Sequence, residues 1–193
     1  MILAAGRGER LRPLTELIPK ALCLVQGKPL IEHHVINLKK AGFEHIIINH
    51  AYLGGQIRQY LGNGSSFGVH IDYSPEPPGG LETGGGIQHA LPWFENKPFL
   101  TVNADIYTDF DFKKIKLELA QDIHLVLVKN NPSLRHHGDF AYTNEMGLSN
   151  IGRDYTFAGI ACYHPKLFAD STPGRYSVSP LIRQMIEQKK ASA

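Results

Sequence analysis

The chain has 193 residues, 42% hydrophobic and 20% charged, which suits one soluble globular domain over residues 1–193 with a core large enough to fold alone. A formal charge of +2 is too small to mark nucleic acid or an anionic membrane surface as the partner, and the basic residues concentrate locally. No apolar run approaches the ~20 residues of a membrane span, so a cytoplasmic protein is expected.

The first apolar strand, Met1 to Ala5, runs directly into a turn on Gly6 and Gly8, with Arg7, Arg10 and Arg12 around it. Glycines there let backbone N–H groups approach a ligand closely, which is the chemistry of a polyphosphate cradle. Glycine turns after strands also occur as plain loops. The guanidiniums favour the phosphate reading, because three such charges within six residues repel one another unless an anion or solvent intervenes. A Walker A loop is excluded, since no Gly-Lys-Ser/Thr follows Gly6. A dinucleotide turn is excluded too, because Leu11 stands where a small residue is needed and the next strand ends in Asn49-His50 without an acidic residue.

Pro29 suits the first position of a helix over 29–41, which Gly42 ends. Residues 45–49 are a continuous apolar run, as expected for a parallel strand covered on both faces. A short helix over 53–61, a strand over 69–73 and a proline-glycine loop over 75–80 come next, then a helix from about 84 to 91 and a strand over 99–103. Alternation of this kind predicts an α/β fold, a Rossmann-like, mostly parallel sheet with helices on both faces and ligands at the carboxyl ends of the strands. Past a buried strand over 124–128, the segments 140–143 and 157–163 lack intervening long helices and read as antiparallel additions. An amphipathic helix over 180–189 closes the chain. Cys23 and Cys162 both sit in apolar surroundings and read as buried free thiols. Adjacent histidines at 33–34 and 136–137 point apart on a helix or strand, so a zinc reading is disfavoured.

The stretch Leu3-Ala-Ala-Gly-Arg-Gly-Glu-Arg-Leu-Arg-Pro-Leu-Thr15, with Pro19-Lys20, resembles the signature of the sugar-1-phosphate nucleotidyltransferases. Within that family the chain is most similar to the bacterial N-acetylmuramate-1-phosphate uridylyltransferases. The residues carrying this are Ile48 to Gly54, Ser74-Pro75-Glu76, Leu81 to Gly86, Val102-Asn103-Ala104-Asp105 and His137-Gly138-Asp139-Phe140. The resemblance implies a nucleotide-diphospho-sugar transferase fold and transfer of a uridylyl group from UTP to a sugar 1-phosphate, with Mg²⁺ as cofactor. It implies nucleotide contacts on Leu3, Ala4, Ala5, Gly6, Gly8, Glu76, Gly80, Glu82, Thr83 and Asn103, with the phosphates on the backbone from Ala4 to Gly8 and the base read by Glu76 and the backbone near Gly80 or, alternatively, by Glu82 and Thr83, and sugar-phosphate contacts on Gly138, Asp139, Thr156 and Gly159. Arg10 and Lys20 would be the catalytic cations; for Arg7 and Arg12, phosphate contact and a plain surface position both stay open. Asp105 by itself reads as a turn cap, and the resemblance makes it the metal ligand. Ala104 departs from the glycine of most relatives. Relatives also continue past Ala193 with a segment that donates a second metal carboxylate, so the natural C-terminal segment is expected to be missing. Guanylyl transfer to mannose 1-phosphate, a glucosamine-type uridylyltransferase and a catalytically weak nucleotide-binding regulatory subunit are the competing readings.

Overall fold

The computed structural model describes residues 1–118, 120–131 and 137–193; His136 of the second histidine pair lies outside the described residues. The strands in chain order are β1 (Ile2–Leu3), β2 (Leu24–Val25), β3 (Lys28–Pro29), β4 (His45–His50), β5 (His70–Pro75), β6 (Phe99–Asn103), β7 (Ile123–Lys129), β8 (Ala141–Thr143), β9 (Gly147–Ser149), β10 (Tyr155–Tyr163) and β11 (Ala191–Ser192). The helices are α1 (Leu14–Leu17), α2 (Leu30–Lys40), α3 (Gly54–Leu61), α4 (Glu82–Ala90) and α5 (Ser179–Glu187). One seven-stranded sheet runs β11-β7-β10-β6-β1-β4-β5, with two small hairpins, β2-β3 and β8-β9, outside it.

Strand β1 is parallel to β4 and β6, and β4 is parallel to β5. Only β10 runs against its neighbours, antiparallel to both β6 and β7, which is the expected antiparallel addition. Residues 140–143 do not join the main sheet; Phe140 bridges Tyr155 and the rest pairs with β9.

Period-2 alternation between two covered faces explains why Ile46, Ile47 and Ile48 in the middle of β4 are all apolar. Ile46 and Ile48 pack with Ile31, Val35 and Leu38 of α2 and Ile57 of α3, whereas Ile47 packs on the opposite face with Ile87 of α4 and Ile182 and Met185 of α5. The sheet is therefore the middle of three layers, and its carboxyl edge is free to hold a ligand.

Several boundaries shift by one or two residues. Pro29 lies just outside α2 and pairs in the β2-β3 hairpin. Helix α4 starts at Glu82, two residues before the position expected, so Glu82 and Thr83 occupy its first turn. Cys162 is buried, and desolvation pushes its thiol up to about 11, but Cys23 is only partly buried.

Candidate active site

Register brings Leu3 opposite both Asn49 and Asn103, so the glycine turn leaves the sheet between two strand-end asparagines. Asn49 holds the turn from one side: its Oδ1 accepts from the Ala4 N–H at 2.8 Å and its Nδ2 donates to Glu76 Oε1 at 2.6 Å. Glu76 Oε2 in turn accepts from the Leu81 N–H at 2.6 Å. Both ends of this relay are backbone, one at the glycine turn and one at the end of the proline-glycine loop. A buried carboxylate with neither oxygen left bare is the arrangement burial demands. Gly86 makes room for it, since a Cβ there would lie 2.3 Å from Glu76 Oε1.

The two turn glycines differ in purpose. Around Gly6 nothing would meet a Cβ, so that position faces open space. Gly8 is left-handed at φ 65°, and a Cβ would come 2.8 Å from Thr15 Cγ2. Thr15 is buried and its hydroxyl donates to the Gly8 carbonyl at 2.8 Å. Gly8 thus serves the shape of the turn, and Gly6 its openness.

Glu9 lies between two of the arginines, 4.0 Å from Arg7 and 3.7 Å from Arg12, and Arg7 also stacks over Tyr52. Arg10 has no ion pair among the described residues. Across the cleft, Lys20 Nζ donates to Asp105 Oδ2 at 2.6 Å, with the Asp105 side chain 40% exposed. Ala104 is buried and its N–H bonds the Leu3 carbonyl at 3.0 Å, fixing Asp105 one residue further along.

Leu3, Ala4, Ala5, Gly6, Gly8, Arg10, Lys20, Glu76, Gly80, Glu82, Thr83, Asn103 and Asp105 all line one cleft of about 520 Å³. Every sequence-predicted nucleotide, cationic and metal position is thereby brought together. Asn49 and Arg175 line the same cleft and were not singled out from the sequence. Asn49 could have been, as a polar residue ending an otherwise apolar strand; Arg175 carries no local signal. It reaches the cleft because Tyr176 straps α4: the Tyr176 carbonyl accepts from the N–H groups of Gly84 and Gly85 at 3.0 and 3.1 Å, and Arg175 Nε donates to Glu82 Oε1 at 3.1 Å. The N-terminus of α4 is therefore capped by the chain itself, and the Thr83 hydroxyl accepts from the Val178 N–H at 3.3 Å.

Gly138, Asp139, Thr156 and Gly159 do not line this cleft. Gly159 stands behind it, where a Cβ would lie 2.8 Å from Asn103 Nδ2. Asp139 Oδ2 accepts from the Phe157 N–H at 2.9 Å, Gly138 packs on the backbone of Arg153 and Tyr155, and Thr156 donates to Asn130 at 2.6 Å. These four cluster around the first half of β10, which enters the sheet from the cleft edge because β10 opposes β6.

A magnesium ion suits this donor set. Magnesium takes oxygen ligands and is commonly held by one or two carboxylates together with substrate phosphates, and Asp105 is a half-exposed carboxylate lining a cleft with an open glycine turn. The histidine pair of α2 is no metal site: His33 Nε2 meets the Val25 carbonyl at 2.8 Å and His34 Nε2 the Ile106 carbonyl at 3.0 Å, on different sides of the helix. Burial holds the His34 imidazole below its usual pKa.

The chain resembles known proteins over its full length. Residues 1–134 match the family model described as nucleotidyl transferase. An N-acetylmuramate alpha-1-phosphate uridylyltransferase of Neisseria meningitidis is 47% identical over all of this chain and 87% of that relative. Another of the same name, from Caulobacter vibrioides, is 31% identical over 96% of this chain and 83% of that relative. In fold, the chain is similar to a solved Bacillus anthracis protein, a candidate glucose-1-phosphate thymidylyltransferase, with a TM-score of 0.83 and 21% identity over 99% of this chain and 83% of that one. The mostly parallel sheet, the open glycine turn beside Arg10, and these likenesses lead to one conclusion: the chain belongs to the nucleotidyl transferase family.

Proposed function

We propose that the protein transfers a uridylyl group from UTP to N-acetylmuramic acid 1-phosphate, giving UDP-N-acetylmuramic acid and pyrophosphate, in the reuse of cell-wall sugar within the cytoplasm. The observation that carries this reading is the cleft itself, in which an open phosphate turn, two cations and a carboxylate face a loop pinned by Glu76. The relatives named N-acetylmuramate alpha-1-phosphate uridylyltransferase supply the choice of base and sugar.

In this reading the triphosphate lies over the backbone from Ala4 to Gly8, and the uracil lies between Gly80 and the first turn of α4, with Glu82 and Thr83 at its edge. An oxygen of the sugar phosphate attacks the α-phosphorus of UTP in line. The new P–O bond forms as the bond to the bridging oxygen breaks, and pyrophosphate leaves with that electron pair. The attacking phosphate is already anionic, so no general base is required. Arg10 and Lys20 stabilise the charge that moves onto the leaving group, and fixed cations do this more in the transition state than in the ground state. Lys20 must first exchange Asp105 for phosphate. Asp105 would hold Mg²⁺, which when bound supplies charge neutralisation and alignment of the phosphates. Asn103 faces the ribose, and Thr156 and Gly159 of β10, with Gly138 and Asp139 beside that strand, flank the sugar phosphate.

The test is pyrophosphate release from each of the four nucleoside triphosphates with muramyl, glucosaminyl and mannosyl phosphates, with magnesium or with chelator. UTP with the muramyl phosphate should be the preferred pair, and both chelator and Asp105→Asn should abolish its turnover. Preference for GTP with mannose 1-phosphate would overturn the assignment, and turnover surviving in the aspartate variant would remove Asp105 from it.

A further inference from the structure

At the opposite edge of the sheet, three side chains unrelated to the cleft converge. His45 opens β4 and is the register partner of His70, which opens β5, and Asp72 comes two residues later on the same face of β5. His45 Nε2 lies 2.7 Å from Asp72 Oδ2, and His70 Nε2 lies 3.3 Å from the same oxygen. One ligand atom from each residue falls within a sphere of mutual separations no larger than 4.8 Å, and no other group of three His, Cys, Asp or Glu does so among the described residues. We propose that His45, His70 and Asp72 bind a divalent transition-metal ion of the zinc class, which staples edge strand β5 to β4.

The donor chemistry favours that class. Two imidazoles with one carboxylate suit zinc, cobalt or nickel, whereas magnesium and calcium prefer oxygen alone. Ligands about 2.0–2.2 Å from a tetrahedral ion stand roughly 3.3–3.6 Å from one another, so small rotations of the two rings and of Asp72 admit it. The side chains are 48%, 64% and 38% exposed, which leaves the fourth position to water and gives the ion a path in from solvent. Strand β5 is one of the two edge strands of the sheet and has a single pairing partner, so a ligand set spanning β4 and β5 ties down an edge. The cleft lies at the carboxyl ends of the same strands, at Asn49 and Glu76, so the ion stabilises the fold and takes no part in turnover.

The experiment is titration of the purified protein with Co²⁺, followed by its visible absorption, and with Zn²⁺ in competition with a chromophoric chelator. Wild type should take up one equivalent with the spectrum of a histidine-ligated site and melt at a higher temperature when loaded. His45→Gln, His70→Ala and Asp72→Asn should each bind at least ~10- to 100-fold more weakly, while melting like the metal-free wild type and turning over substrate as it does. Asp105→Asn should keep the site intact. Uptake unchanged in the histidine variants, uptake lost in Asp105→Asn, or no uptake by wild type would each overturn the proposal, the last leaving a surface group held by hydrogen bonds alone.

Discussion

Arg10 is the arginine of the glycine turn that no carboxylate neutralises among the described residues, whereas Arg7 and Arg12 share Glu9. The repulsion expected among three clustered guanidiniums is thus relieved for two of them within the chain, and the third is left for a ligand. If Arg10 acts on the leaving pyrophosphate, Arg10→Ala should lower turnover by about 100- to 1000-fold, equivalent to ~2.7–4 kcal/mol, with a much smaller rise in the Michaelis constant for UTP. Steady-state kinetics separate the two effects. Near-normal turnover would make Arg10 a surface residue. The composition of the turn made this residue legible in the sequence; its freedom from Glu9 was not, because that depends on side-chain directions around a left-handed Gly8.

At the scale of elements, the glycine turn and the proline-glycine loop are one unit joined by Asn49 and Glu76. Removing the amide strands two buried atoms, the Ala4 N–H and Glu76 Oε1, each costing about 1–3 kcal/mol when left without a partner. Asn49→Ala should therefore weaken UTP binding and reduce discrimination between uracil and cytosine, at a modest loss in melting temperature. Asn49→Asp should be worse than alanine, because it sets a second carboxylate against Glu76. Titration calorimetry with UTP and CTP reads both effects, and unchanged affinities in a folded Asn49→Ala would show the relay to be structural only. The strands were legible because continuous apolar runs such as 45–49 leave little else to be. The start of α4 was not: three glycines looked like its beginning, yet the helix starts at Glu82 and its free N–H groups are met by Tyr176, far along the chain. A cap supplied across such a separation leaves no local pattern, and Arg175 was invisible for the same reason.

For the whole molecule, sheet order does the assembling. Strand β1 sits between β4 and β6, so the turn, the Glu76 loop and Asp105 emerge side by side, and β10, reversed against β6, brings its first residues to the same edge. The alternation of strands and helices foretold that edge, and the antiparallel direction of β10 was foretold by the missing crossover helix. The placement of Asp139 and Thr156 was less legible, since Asp139 spends one oxygen on the Phe157 N–H and neither residue lines the cleft. In the proposed reaction both substrates occupy neighbouring parts of this edge at once, and transfer is a single displacement. A rapid-quench single turnover with UTP labelled at the α-phosphorus tests this most directly. Label should pass from UTP to UDP-N-acetylmuramic acid in step with pyrophosphate, only when the sugar phosphate is present and with none on the protein; pyrophosphate released without the sugar phosphate, or label trapped on the chain, would contradict it.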